Sequence, residues 1–320
     1  MHLTTSLRLL AAVGIMQIGI PAAAQSNVTI SGSLDIGVFR DTAGVKNVGT
    51  IQRSHLQFAG SEALGDGLAA TFRLSHRLDL DTGASEGNGS KPFWHGESTV
   101  GLRGGFGALR LGRALDAIQS QDWAFDPWEN YDRISSPAWD LWHWNYSADP
   151  AGGGSGRVAN AIFYDSPKIA DFSLQVSAAP ESPAGAVTKT RAASLVYNNG
   201  TLRALLGSAK NSSGATETSL GLRGNFGTVS VMGLYNLSES AAGSKAKVVT
   251  LGATYKLGVT TLKAGWGQAD VDGVKKERLT SVGAKYSLSK RTSVYADLAS
   301  KRFATTGTKQ VFGVGLTHSF

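Results

Sequence analysis

The amino-acid sequence predicts an all-β chain, a 16-stranded antiparallel transmembrane β-barrel. Three observations carry that prediction. Apolar and polar residues alternate singly through most of the chain, the period of a strand with one apolar and one wet face. The connectors between these stretches are short and long by turns. An export signal precedes the first of them.

The N-terminus sets the compartment. Arg8 is followed by an apolar run over residues 9–20 and then by Pro21, Ala22, Ala23 and Ala24. A basic start, an apolar centre and a small-residue end make residues 1–24 a secretory signal, with cleavage expected after Ala24. The run falls short of the about 20 apolar residues that cross ~30 Å of hydrocarbon. Cleavage removes one charged side chain, Arg8, so the formal charge falls from +7 to +6 over residues 25–320. The chain has no cysteine, which excludes disulfide and thiolate–metal frameworks. Its basic residues are scattered one per segment rather than clustered, so nucleic acid is not an expected partner.

The strands follow in order. Val28, Ile30, Leu34, Ile36 and Val38 alternate with Thr29, Ser31, Ser33 and Asp35. Phe72, Leu74 and Leu78 oppose Thr71, Arg73, Ser75, Arg77 and Asp79. Val249, Leu251, Ala253, Tyr255 and Leu257 oppose Val248, Thr250, Gly252, Thr254 and Lys256. Val282, Ala284, Tyr286 and Leu288 oppose Ser281, Gly283 and Lys285. The last stretch sets Phe312, Val314, Leu316 and Phe320 against Gly313, Gly315, Thr317 and Ser319.

Short turns are expected at residues 64–67, 104–107, 166–171, 198–200, 224–227, 256–258 and 288–291. Longer polar loops are expected at 41–49, 81–92, 114–156, 179–190, 209–216, 238–245, 268–276 and 301–308. Fifteen connectors separate sixteen strands, with both termini on the short-turn side. A soluble sandwich has no reason to keep its long loops at one end, whereas a membrane barrel has short periplasmic turns and long external loops. Closure satisfies the backbone in lipid, and sixteen strands leave an aqueous lumen. Tyr197, Tyr235, Tyr255, Tyr286 and Phe320 suit the interfacial aromatic girdles.

One loop departs from the pattern. Residues 113–156 hold Trp123, Trp128, Trp139, Trp142 and Trp144, with Asp116, Asp122, Asp126, Glu129, Asp132, Asp140 and Asp149. A loop this long is functional or disordered, and its aromatic content argues against disorder. No His-Glu-x-x-His or Gly-x-x-x-x-Gly-Lys-Ser/Thr motif occurs, and the one Gly-x-Ser-x-Gly run, Gly83-Ala84-Ser85-Glu86-Gly87, falls in the polar loop at 81–92 rather than on a strand-to-helix turn, so no catalytic site, metal site or cofactor is expected.

Several stretches resemble the general diffusion porins of Gram-negative bacteria, particularly the trimeric 16-stranded porins of β-proteobacteria. They are Val28-Thr29-Ile30-Ser31-Gly32 with Leu34-Asp35-Ile36-Gly37; residues 58–68, from Phe58-Ala59-Gly60 to Asp66-Gly67-Leu68; residues 100–107 leading to Leu111-Gly112-Arg113; Tyr164-Asp165-Ser166-Pro167; and the terminal Phe320. The resemblance runs from Val28 to Phe320. It implies a third external loop folded into the barrel, basic wall residues facing loop acids, a homotrimer in contact with outer-membrane lipid and lipopolysaccharide, and recognition of the C-terminal strand by outer-membrane assembly machinery. By order that loop is the tryptophan-rich one.

Parity places Arg53, His55, Arg73, Arg77 and Arg110 on the lumenal face as the basic wall, with Asp116, Asp122, Asp126 and Glu129 as candidates opposite. The chain departs from the family in having Ser54-His55 with Arg53 shifted by one, Gly96 at a position where arginine is frequent, and Thr317 and Ser319 in the last strand. The expected function is an outer-membrane channel for passive diffusion of small hydrophilic solutes and ions, with a mild anion preference. The alternatives are a solute-specific channel using Trp123 and Trp128, or an outer-membrane enzyme or adhesin. Against these roles stand blander ones: arginines neutralised by neighbouring acids, and tryptophans that anchor the loop to the wall.

Overall fold

The computed structural model describes residues 27–150, 156–181 and 183–320; the expected signal segment lies outside them. The strands in chain order are β1 (Asn27–Arg40), β2 (Lys46–Gly49), β3 (Ser54–Gly65), β4 (Leu68–Asp79), β5 (Ala84–Ser85), β6 (Glu97–Gly104), β7 (Gly107–Leu115), β8 (Arg157–Asp165), β9 (Phe172–Ala178), β10 (Arg191–Asn198), β11 (Leu202–Lys210), β12 (Thr216–Phe226), β13 (Val229–Glu239), β14 (Lys245–Leu257), β15 (Thr260–Val271), β16 (Val274–Ser287), β17 (Thr292–Phe303) and β18 (Gly307–Ser319). β2 and β5 are short pieces within the first two loops. The other sixteen pair antiparallel with their neighbours, and β1 closes the ring against β18 in a register running from Ser33 opposite Ser319 to Arg40 opposite Phe312. Phe320 extends that seam by exchanging backbone hydrogen bonds with Gly32, both 3.1 Å.

The alternation lands as the period-2 reading requires. Val28, Ile30, Val38, Leu251, Val282, Leu298 and Val314 stand exposed on the outer face, each at least 48% accessible. Their strand neighbours Asp35, Thr250, Ser281 and Asp297 are buried. Exposed apolar side chains in such a band meet lipid. Tyr255, Tyr286, Phe320 and the Phe172–Tyr197 pair, 5.0 Å apart, sit toward the short-turn end.

The loop lengths need one correction. The first four connectors on the long-loop side are long: 41–53, 80–96, 116–156 and 179–190. The last four are not, and the expected loops at 268–276 and 301–308 shrink to 272–273 and 304–306. The polar residues there continue the ladder beyond the apolar band. Asp272 and Gly273 form a hairpin turn with φ of 50° and 80°, the left-handed pair that an Asp-Gly dipeptide adopts readily.

The described part of the segment between β7 and β8, residues 116–150, packs on polar-parity residues of β11–β18. Its secondary structure is slight: a 3₁₀ turn (Asp122–Phe125) and α1 (Pro137–Leu141). Ser136 caps α1 by accepting from the Trp139 amide at 3.1 Å, and Pro137 begins it, a serviceable start for so short a helix. The wall receives the segment at glycines. A Cβ on Gly221 would lie 2.8 Å from the Phe125 ring, and one on Gly252 would lie 2.3 Å from Pro127. Gly265, Gly267 and Gly207 leave the same kind of room for Trp128, Leu141 and Ile118. Phe125, Ile134, Leu141 and Trp142 complete an apolar core with Leu205, Leu234, Val248, Leu279 and Val311.

Gly221→Val therefore displaces Phe125 and loosens the segment at a cost of about 1–3 kcal/mol, while the barrel still forms. Trypsin cleavage within 116–156 accelerates in the variant and stays at the parental rate in Leu220→Val, whose side chain faces outward. Unchanged protection in Gly221→Val would rule out glycine seating.

Candidate functional site

The site is a group of arginines beneath the segment. Two cavities, of about 350 and 490 Å³, meet there. Arg53, Arg77, Leu115, Tyr131 and Arg157 line both, and so mark their junction. Arg77 projects from β4, Arg53 precedes β3, and Arg157 is the first residue of β8.

Two of these guanidinium groups, Arg53 and Arg157, are held without a described carboxylate partner. The Arg53 guanidinium lies 5.1 Å from the Tyr131 ring and 5.2 Å from that of Trp139, and no described carboxylate comes within 4 Å of it. Arg157 is buried and donates from Nε to the Gly96 carbonyl at 2.7 Å, again with no described carboxylate within 4 Å. The chain thus brings an arginine from β8 to the position whose own residue is the unexpected Gly96. Arg77 reaches Glu86 at 3.9 Å, and Arg133 reaches Glu86 at 3.5 Å and Asp79 at 3.7 Å. Arg113 lies 3.2 Å from His95 and 3.9 Å from Asp149; five guanidinium groups thus share three acids, Glu86, Asp79 and Asp149, and the local field is positive.

Arg73 and Arg110, expected in the basic wall, follow the bland reading. Arg110 holds Glu97 at 2.8 Å and Asp165 at 2.9 Å, and Arg73 meets Glu97 at 3.4 Å. His55 is half-buried and lines the smaller cavity with Arg73 and Arg110.

Three of the four acids expected opposite the arginines, Asp116, Asp122 and Asp126, are buried. Asp116 accepts from the amides of Ile118 and Gln119 at 2.9 and 2.8 Å. Asp126 accepts from the amides of Trp128 and Asn130 and from the Ser136 hydroxyl at 2.9, 3.1 and 2.9 Å. Both carboxylates are buried within the segment, where they close its turns in place of regular secondary structure. Burial pushes Asp116 up to about 7 and Asp126 up to about 6. Asp122 is also fully buried. Glu129 is the one of the four that stays exposed.

Asp122 belongs to a latch. His143 sits with Nε2 3.0 Å from Asp122 and Nδ1 2.8 Å from Glu217 of β12. Burial works against the imidazolium, but the Glu217 and Asp122 carboxylates outweigh it and hold the His143 pKa well above the usual histidine value. The latch ties both limbs of the segment to the wall. A second tie joins Asp140 to buried Lys301 at 2.6 Å.

The tryptophans divide by role. Trp128 is buried, donates to Asp297 at 2.6 Å, and is an anchor. Trp142 is another, donating to Thr250 at 3.1 Å. Trp123 is 38% exposed beneath Arg203, whose guanidinium lies 5.9 Å from its ring. Trp139, not singled out from sequence, is the ring that meets both Arg53 and Arg133, the latter at 5.5 Å. Neither Arg157 nor the Trp139 contact with Arg53 carries a local signal, because these partners lie far away in the chain.

The family model of Gram-negative porins matches residues 10–306. Outer membrane porin protein 32 of Delftia acidovorans is 29% identical over 315 residues, spanning 91% of this chain and 88% of that protein. Major outer membrane protein P.IB of Neisseria meningitidis is 26% identical over 343 residues, 94% of this chain and 96% of that one. Among solved structures, the anion-selective porin from Comamonas acidovorans superimposes with a TM-score of 0.80 at 27% identity, covering 92% of this chain and 100% of that one.

Because the His143 pKa is raised on folding, its contribution is complete below the ordinary value of 6.5 and is lost as pH rises through the raised value. Current noise from segment motion is accordingly low at neutral pH and grows on the alkaline side. In His143→Gln the noise is high at every pH. Noise that is flat with pH in the parent would sink the latch.

Proposed function

We propose that this chain, which belongs to the Gram-negative porin family, prefers small anions at the junction marked by Arg53, Arg77 and Arg157. As a porin it is an outer-membrane β-barrel through which small hydrophilic solutes and ions diffuse passively. The segment 116–156 lies within the lumen in this reading and narrows it. The support is its packing on the polar-parity face through Phe125, Trp128, Leu141 and Trp142.

One observation carries the anion preference: Arg53 and Arg157 line both cavities, yet neither has a described carboxylate within 4 Å. A passing anion meets charge that the protein has not already cancelled, and low-dielectric walls strengthen the effect. Rings and a backbone carbonyl hold the groups in place, so they need no counter-ion to be positioned. The anion selectivity named for the Comamonas acidovorans structure is in keeping with this.

The remaining assignments are proposals of the same reading. Residues 1–24 direct export and are removed. Three copies associate through the outer face near Phe58, where Trp94 packs edge-on at 6.2 Å and Phe93, 59% exposed, stacks on His76 at 4.0 Å. The exposed Phe320 end of β18 is presented to the assembly machinery before the seam closes, and lipid with lipopolysaccharide surrounds the finished barrel.

Reversal potential across a KCl gradient tests the preference. The parent passes chloride over potassium. Arg53→Gln and Arg157→Gln each lower the permeability ratio roughly five-fold, the weight of a unit charge contributing about 1 kcal/mol near 4 Å in a water-like medium. Glu86→Gln, which removes the one described acid within 4 Å of Arg77, raises it. A cation-selective parent would overturn the assignment.

A further inference from the structure

The larger cavity combines two features that a plain ion filter does not need, free guanidinium edges and accessible indole and phenol rings. We propose that it binds aromatic monocarboxylates, solutes with one planar ring and one carboxylate, before they pass the arginine junction. The proposal rests on the anion-channel reading and adds a solute class to it.

The volume of about 490 Å³ lies within the roughly 300–1,000 Å³ of small-molecule sites. Its cationic side is Arg53 and Arg157, beside an Arg133 already paired with Glu86 and Asp79, and its aromatic side is Tyr131, Trp139 and Trp123. Tyr131 and Trp123 are each 38% exposed, so their rings remain available to a solute. The stacked Arg53 is oriented by π contacts at 5.1 and 5.2 Å, and its buried Nε has no hydrogen-bond partner. Stacking occupies the face of a guanidinium and leaves its N–H edge for a carboxylate, which it matches bidentately. Arg110 shows the contrasting arrangement, with both terminal nitrogens already taken by Glu97 and Asp165.

The lining discriminates among anions. A hydrated halide gains charge attraction but nothing from the rings. Acetate satisfies a guanidinium edge and leaves the aromatic side wet. A neutral sugar packs on indole but leaves the guanidinium groups without a counter-charge. A ring bearing a single carboxylate uses both sides at once. Trp128 and Trp142 do not take part, since their rings are buried against the wall, held there by indole N–H bonds to Asp297 and Thr250.

The test uses the whole mature barrel in planar bilayers, with benzoate, cyclohexanecarboxylate and acetate as blockers of the KCl current. Benzoate half-blocks at roughly three- to ten-fold lower concentration than cyclohexanecarboxylate, the range expected of one aromatic contact, and acetate blocks most weakly. In Trp139→Leu the benzoate-to-cyclohexanecarboxylate ratio falls to near one, and in Trp139→Tyr it is retained. Reading the ratio within each variant cancels any general change at Arg53. A parental ratio near one overturns the proposal whatever the variants do, and so does a ratio that survives in Trp139→Leu. If the KCl reversal potential shows no anion preference, the underlying reading falls. If that preference is intact and the ratio is one, only the aromatic site falls.

Discussion

Barrel closure is the constraint on which everything else in this protein depends. In hydrocarbon every strand edge must be paired, and β1 meets both β18 and β3 to leave none open. Closing sixteen strands encloses a space too wide for wall side chains alone to fill. The long connector between β7 and β8 packs on the polar-parity face of that wall. Its apolar residues build a core against β11–β18, while Arg53, Arg77 and Arg157 line the cavities beside it.

The wall glycines and the segment's apolar residues form one fitted surface. Gly207, Gly221, Gly252, Gly265 and Gly267 sit where Ile118, Phe125, Pro127, Trp128 and Leu141 come closest. Glycine is costly in a strand because it loses more backbone freedom on folding and packs no side chain. Here a close approach to the segment offsets that cost. The buried aspartates serve the same end from the other side. Asp116, Asp126 and Asp132 accept amides two to four residues ahead and give a chain with little regular structure its turns. Acids committed in this way are buried inside the segment, and the two cavities beside it are lined by more arginines than acids.

Much of this was legible in one dimension. Period-2 alternation named the outer face through Val28, Leu251, Val282 and Val314, because side-chain direction in a strand follows from sequence parity alone. Where parity was combined with polarity to infer loop length, it failed at Asp272-Gly273. The polar residues on either side continue a hydrogen-bonded ladder beyond the apolar band, and the Asp-Gly signal outranked the composition around it. The acids of the segment misled for a different reason. A carboxylate facing a pore and one closing a turn have the same letter, and only backbone geometry separates them.

The sequence by itself determined the strand pattern, the outer apolar face, the outer-membrane barrel class and the position of the tryptophan-rich segment, all of which depend on neighbours within a few residues. Tertiary structure alone decided which charges remain uncancelled. Arg110 is neutralised by residues 13 and 55 positions away, Arg53 is stacked on Tyr131 and Trp139, and Arg157 crosses to Gly96. Neutralisation is a matter of distance in space, and in a barrel the residues that meet across the wall or beneath a long loop share no local spacing rule.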